Sequence, residues 1–218
     1  GGLADLDDGV ARHDMGKWQA ADRAPDGKQW KKTLARLETA LRLGPGSPRI
    51  LEDMGRLYTW RAMVPGSTAG EMTDARQTAA DYYRRSLKQR PTSPYTWANL
   101  ALAKYSLAEI DNEFMHAIHQ AVFLGPWEPE VQVLVADAGL GAWWKLPAEL
   151  KAVVLDNVVR GITWEQIKTT QGSAQHQRAL VKIARHHRHL GLLCRQEEVA
   201  AVIERECKRG IGARRSGT

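Results

Sequence analysis

The sequence predicts an all-α chain of stacked helix-turn-helix units with additional helices toward its C-terminal end. Three observations lead there. Apolar residues recur at helical spacing, as in Leu34/Leu37/Leu41 and Phe114/Ile118/Val122, and no stretch alternates with the period of a strand. A Pro-x-x-Pro punctuation occurs three times, as Pro45/Pro48, Pro91/Pro94 and Pro126/Pro129. With 218 residues, 43% of them apolar, the chain can bury a core as one domain or one repeat array.

The elements follow in order. Asp7–Ala20 reads as a helix, and Pro25-Asp26-Gly27 as the turn before a Lys28–Leu43 helix. In each proline pair the first member stops a helix. The second suits the first turn of the next, where its missing N–H costs nothing. A small residue stands five positions before each first proline: Ala40, Ser86 and Ala121. The second prolines are 46 and then 35 residues apart. Two helices in a unit of about 34 residues is the tetratricopeptide signature.

Counted from Pro48, its pattern falls on Leu51, Met54, Gly55 and Tyr58, and after an insertion on Ala79, Tyr83, Ser86 and Pro91. The insertion near Met63–Glu71, rich in Gly and Pro, reads as a long loop or a helix extension. From Pro94 the pattern gives Trp97, Leu100, Ala101, Ile118, Ala121 and Pro126, and from Pro129 it fades to Val135 and Ala136. Packing explains these residue types, because small residues let paired helices approach and large ones fill the space beside them. Further helices are expected over Pro147–Arg160, Ala174–Leu190 and Gln196–Lys208. The organisation is then an N-terminal helical extension (1–27), repeats (28–146), C-terminal helices (147–209) and a basic flexible tail (210–218).

The net charge of +6 lies wholly in residues 174–218, which hold ten Lys/Arg against four acids and leave residues 1–173 balanced. Such an end attracts anionic partners or is a solvated helix face. It lacks the interleaved aromatics of a nucleic-acid stacking surface, so nucleic acid is not expected. No apolar run approaches the ~18 residues of a membrane span. Only Cys194 and Cys207 are present. One continuous helix over Gln196–Lys208 would hold them ~20 Å apart, too far for a disulfide, whereas a bend would bring them within reach.

No signature of catalysis or phosphate binding occurs, and no catalytic residue is assigned. The acid pairs Asp7/Asp8 and Glu52/Asp53 read as too wet to tune a carboxyl. Glu113 and His116 share a helix face but lack the second such motif that a dimetal site needs. His186, His187 and His189, with Cys194 and His176 nearby, are the one His/Cys cluster. Arginines beside it disfavour a cation, so neither metal nor cofactor is expected.

Binding remains. In tetratricopeptide units the first helix of each pair lines a concave groove. Here those positions include Arg49, Glu52, Asp53, Arg56 and Trp60, then Tyr95 and Asn99. Arg49, Arg56, Tyr95 and Asn99 match in type a polar clamp for a peptide backbone or carboxylate. Trp127, Trp143 and Trp144 are candidate partner or glycan contacts.

Several stretches go beyond helix-packing positions: GKWQAADRAPDGKQW (16–30), LEDMGRLYTWRAM (51–63), PTSPYTWANLAL within 82–114, FLGPWEPEVQVLVADAGLGAW (123–143) and ARHHRHLGLLC (184–194). In these the chain resembles the VpsP-type polysaccharide biosynthesis proteins of bacterial exopolysaccharide clusters, over most of residues 15–194. The resemblance implies a noncatalytic accessory role in exopolysaccharide biosynthesis or export. It also implies a protein partner in that machinery and an N-terminal membrane anchor, expected ahead of Gly1. The site would be the inner membrane, on its periplasmic side. The longer basic tail after Cys194 departs from the family and leaves room for an acidic polysaccharide as a second partner. Without the resemblance, the same groove describes a general peptide adaptor.

Overall fold

The computed structural model describes residues 2–164 and 171–212, with side chains over 7–164 and 174–208. The tail at 213–218, with Arg214 and Arg215, lies outside the described residues. Every regular element among those described is helical. The chain divides into two compact units, Gly1–Glu109 and Ile110–Thr218.

The first unit holds α1 (Gly2–Ala20), α2 (Gly27–Leu43), α3 (Pro48–Arg61), α4 (Ala69–Gln89) and α5 (Pro94–Ser106). Each helix packs on the next, and α3 also touches α1 and α5, so alternate helices are neighbours. Sequence dictates the starts. Asp26 and Gln29 form a reciprocal capping box on α2, and Thr68 and Glu71 form another on α4. Ser47-Pro48 and Ser93-Pro94 pair a hydroxyl cap with a proline in the first turn.

The proline punctuation builds the same turn three times. The residues that end α2, α4 and, in the second unit, α6 (Asn112–Leu124) are Gly44, Arg90 and Gly125. Their φ/ψ angles are −140°/66°, −140°/77° and −135°/53°. Each donates its N–H to the small residue noted above: Ala40, Ser86 and Ala121, at 2.9, 2.9 and 3.0 Å. Three residues on, the N–H of Ser47, Ser93 and Glu128 closes the turn onto the same residue's carbonyl. The negative φ explains why arginine serves at one position where glycine serves at two.

α3 and α4 are locked along their length. A Cβ on Gly55 would lie 2.4 Å from Cε1 of Tyr83, so only glycine permits this approach. The buried Tyr83 hydroxyl meets Thr59 Oγ1 at 3.1 Å, and Ser86 Oγ donates to the Pro48 carbonyl at 2.8 Å. The insertion resolves into a short turn after α3 and an N-terminal extension of α4, a helix of 21 residues. The core beside it joins Ala11, Met15, Trp18, Trp30, Leu37, Met54 and Leu57. Trp30 donates its indole N–H to the Leu57 carbonyl at 2.8 Å.

The second unit holds α6, α7 (Pro129–Gly141), a 3-10 turn (Trp143–Lys145), α8 (Ala148–Thr163), α9 (Gln171–His186), α10 (Leu190–Leu193), α11 (Glu197–Val202) and α12 (Glu204–Gly212). Glycine again sets close approaches, since a Cβ on Gly139 would lie 2.6 Å from Val154 and one on Gly161 2.6 Å from Leu180. Buried polar groups tie the helices. His176 Nε2 meets Gln132 Oε1 at 2.8 Å, Gln132 donates to the Pro126 carbonyl, and Asn157 donates to the Gln132 carbonyl.

Two expectations are corrected here. Gln196–Lys208 is not one helix: it breaks at Ile203, where φ/ψ is −114°/40°. That break folds α12 back toward α10, so Cys194 and Cys207 form a disulfide with Cα atoms 5.7 Å apart. The bend, and not the straight helix, decides the distance.

Candidate functional site

α3 starts at Pro48, which puts Arg49, Asp53, Arg56 and Trp60 on one helix face at spacings of three and four. In the structure this face meets α1. Arg49 Nε lies 3.0 Å from Asp8 Oδ2, and an Arg12 Nη lies 3.3 Å from the same oxygen. Arg12 Nε is 3.6 Å from Asp53 Oδ2, and Arg56 Nη is 3.5 Å from Asp53 Oδ1. Trp60 packs edge-on against Trp18 of α1, with ring centroids 5.9 Å apart.

Asp8 and Asp53 are therefore dry, contrary to the exposure read from the sequence: their relative exposures are 0% and 3%. Burial pushes the Asp53 carboxyl up to about 8; the neighbouring Asp8 adds to the rise, while Arg56 and Arg12 oppose it. Asp8 carries the shorter ion pairs and Asp53 the longer ones. The proton consequently belongs on Asp53. Asp8 was read as wet and Arg12 was not singled out, although a signal was present: Ala11, Met15 and Trp18 are buried, and this stripe carries Asp8 inward with them.

The other edge of α3 is also engaged. Glu52 accepts from Thr96 Oγ1 at 2.5 Å and from Ser93 Oγ at 3.4 Å, at the start of α5. Asn99 Nδ2 donates to the Tyr95 carbonyl one turn back, at 2.9 Å, and both side chains are half-buried. Five candidate positions thus divide. Arg49 and Trp60 make contacts to α1, Arg56 pairs with Asp53 on its own helix, and Tyr95 and Asn99 sit together on α5. A cleft of about 480 Å³ opens near the α1–α2 turn, where Lys17, Arg23 and Lys32 stand beside Asp14 and Asp26. That mixture of charge selects no ligand.

In the second unit the His/Cys cluster disperses. His187 Nε2 pairs with Asp137 at 2.7 Å, His176 joins the buried amides, and Cys194 is in the disulfide. His189 packs between Trp143 and Trp144, with ring centroids at 5.3 and 5.8 Å. Burial, then the nearby His187, hold its pKa below the ordinary histidine value. His119 of α6 stacks on Phe123. No group of three metal-binding side chains converges among the described residues.

The tryptophans separate by role. Trp127 packs on Trp164 at 5.3 Å and lies under the Arg160 guanidinium at 5.2 Å. Trp143 lies under Lys151 Nζ at 5.8 Å. Trp144 is 83% exposed, the most open large apolar side chain among those described. No helix among the described residues is long and apolar enough to cross a membrane.

Fold and site together define an all-α protein whose described helices pack on one another, with paired polar groups between them in each unit. Comparison with known protein families, curated proteins and solved structures finds no match to the chain.

Proposed function

We propose that this chain is a noncatalytic tetratricopeptide-type scaffold or adaptor that binds a protein partner during bacterial exopolysaccharide biosynthesis or export. The observation that carries the binding mode is the repeated turn at Gly44, Arg90 and Gly125, together with the glycine–tyrosine contact that closes α3 on α4. Recurring turns between paired helices are a device of helical-repeat proteins, which present binding surfaces along one helix of each pair. Arg49, Arg56 and Trp60 on α3 and Tyr95 and Asn99 on α5 are the partner-binding residues of this reading.

The exopolysaccharide setting rests on the resemblance in sequence. The disulfide favours an oxidising compartment, in keeping with the periplasmic side of the inner membrane and an anchor outside this chain. A second reading, recognition of an acidic polysaccharide, draws on the open indole of Trp144 and the lysine over Trp143. The general peptide adaptor keeps the groove and drops the setting.

The test is to tag the native protein, crosslink it in polysaccharide-producing cells, and identify what co-purifies. Glycosyltransferase or export subunits, recovered with the wild type and lost with Tyr95→Ala/Asn99→Ala, are expected. Recovery of polymer alone, lost with Trp144→Ala, would replace the scaffold with the glycan reading. Unrelated peptides that bind equally well would leave only the adaptor.

A further inference from the structure

The C-terminal helices of the second unit bend where their local sequence favours a straight run. Gln196–Lys208 contains neither glycine nor proline, and Val199, Ile203 and Cys207 recur every fourth residue, one stripe of a single helix. All three are buried, with exposures of 0%, 3% and 7%. Ile203 nevertheless leaves the helix at φ/ψ −114°/40°, and α12 starts anew at Glu204. The break gives up backbone bonds, since the first N–H groups of a helix have no partner within it. In exchange α12 packs on α10 and α11, and Cys207 reaches Cys194. A straight helix would hold those two residues about 20 Å apart, so the disulfide exists only in the bent form. The two sulfurs also differ in access. Cys207 is buried, whereas Cys194, at the end of α10, is partly exposed. Next to Cys194 stands the exposed Arg195, whose positive charge favours an approaching thiolate.

We propose that Cys194–Cys207 is a site of thiol–disulfide exchange with a dithiol oxidoreductase, and that its reduction lets residues 196–208 straighten into one helix. A thiolate of the reductant attacks Sγ of Cys194. The S–S bond breaks, and Cys207 leaves as a thiolate that takes a proton from water. The reductant's second thiol then attacks the mixed disulfide, closes the reductant's own disulfide and frees Cys194 as a thiol. Two electrons pass from the dithiol to the protein, and one disulfide becomes two thiols. The bend is held by packing and the covalent tie together, so loss of the tie shifts the balance toward the form that local sequence favours. The continuous helix recovers backbone bonds across Ile203 and keeps Val199 and Ile203 on one face. α12 then leaves α10 and carries Arg205 and Lys208 with it. The exchange does not depend on what partner the protein binds.

Two measurements on the full chain test it. A thioredoxin-type oxidoreductase whose resolving cysteine is replaced by serine should be trapped as a mixed disulfide, and tryptic peptides should place the bond on Cys194. No trapped species, or one on Cys207, would overturn the exchange site. The ¹³Cα chemical shift of Ile203 should be non-helical in the oxidised chain and move into the helical range once dithiothreitol has reduced it. An unchanged shift would mean that packing alone keeps the bend, and a random-coil shift would mean that α12 frays; either would overturn the straightening. Cys207→Ser should show the helical shift without any reductant. The oxidised and reduced wild type decide by themselves should Cys207→Ser fail to fold.

Discussion

The two units close their helix seams with different chemistry. In the first, α1 meets α3 through buried carboxyls and guanidiniums, and Asp53 keeps a proton that the unfolded chain would release. In the second, α7, α8 and α9 meet through neutral amides and an imidazole, and a disulfide ties α10 to α12. The contrast gives opposite pH responses. A raised Asp53 means that this carboxyl's contribution to the first unit is full below the free aspartate value and is lost as pH rises toward about 8. Burial lowers the pKa of His176, so the unfolded chain takes up a proton there more readily than the folded one. The second unit therefore keeps this contribution above the ordinary histidine value of 6.5 and loses it as pH falls below. Reduction, in turn, acts on the second unit alone.

Substitutions sharpen the contrast, and the largest effect is expected at a backbone contact that neither pH nor redox reaches. Gly55→Leu would drive a side chain into the Tyr83 ring and lower stability by about 3 kcal/mol or more, read as a fall in melting temperature. An unchanged melting temperature would refute the register of α3 on α4. Next, Cys194→Ser should cost about 3 kcal/mol by opening a loop of separation 13, with loss of protection confined to the second unit. Equal loss in both units by hydrogen exchange would break the division between them.

Arg49→Ala should cost about 2 kcal/mol in urea unfolding, because it strips Asp8 of its shortest ion pair while Arg12 remains. The cost should fall at high salt, which screens the half-exposed guanidinium, and a cost independent of salt would mean that Arg49 matters only by packing. Smallest of all, Trp144→Ala should change stability by less than about 0.5 kcal/mol, since its indole stands in solvent. A larger loss would place that ring in the fold and remove it from any ligand surface.

Much of the first unit was legible because its rules are local. Ser-Pro starts, small residues ahead of each proline and Gly55 opposite Tyr83 are set by backbone sterics, and those read directly from sequence. The bend at Ile203 was not legible: Gln196–Lys208 has unbroken helical periodicity and neither glycine nor proline, and packing against neighbours overrides that local preference. The seam was half legible. Arg49, Asp53 and Arg56 were marked by repeat position, but Arg49 and Asp53 find partners on α1, some forty residues earlier, and spacing within one helix carries no information about a charge on another. Arg49 and Arg56 thus carry ion pairs that the spacing on α3 did not announce, while the Arg49 side chain stays 44% exposed.

The most direct test of the contrast is hydrogen exchange resolved by peptide on the intact chain, compared at pH 5, 7 and 9 after correction for intrinsic rates. Protection in α1 and α3 should fall toward pH 9, while protection in α7 and α9 should fall toward pH 5. Protection that moves in the same direction in both units would contradict the assignment of a raised carboxyl to one seam and a neutral imidazole to the other.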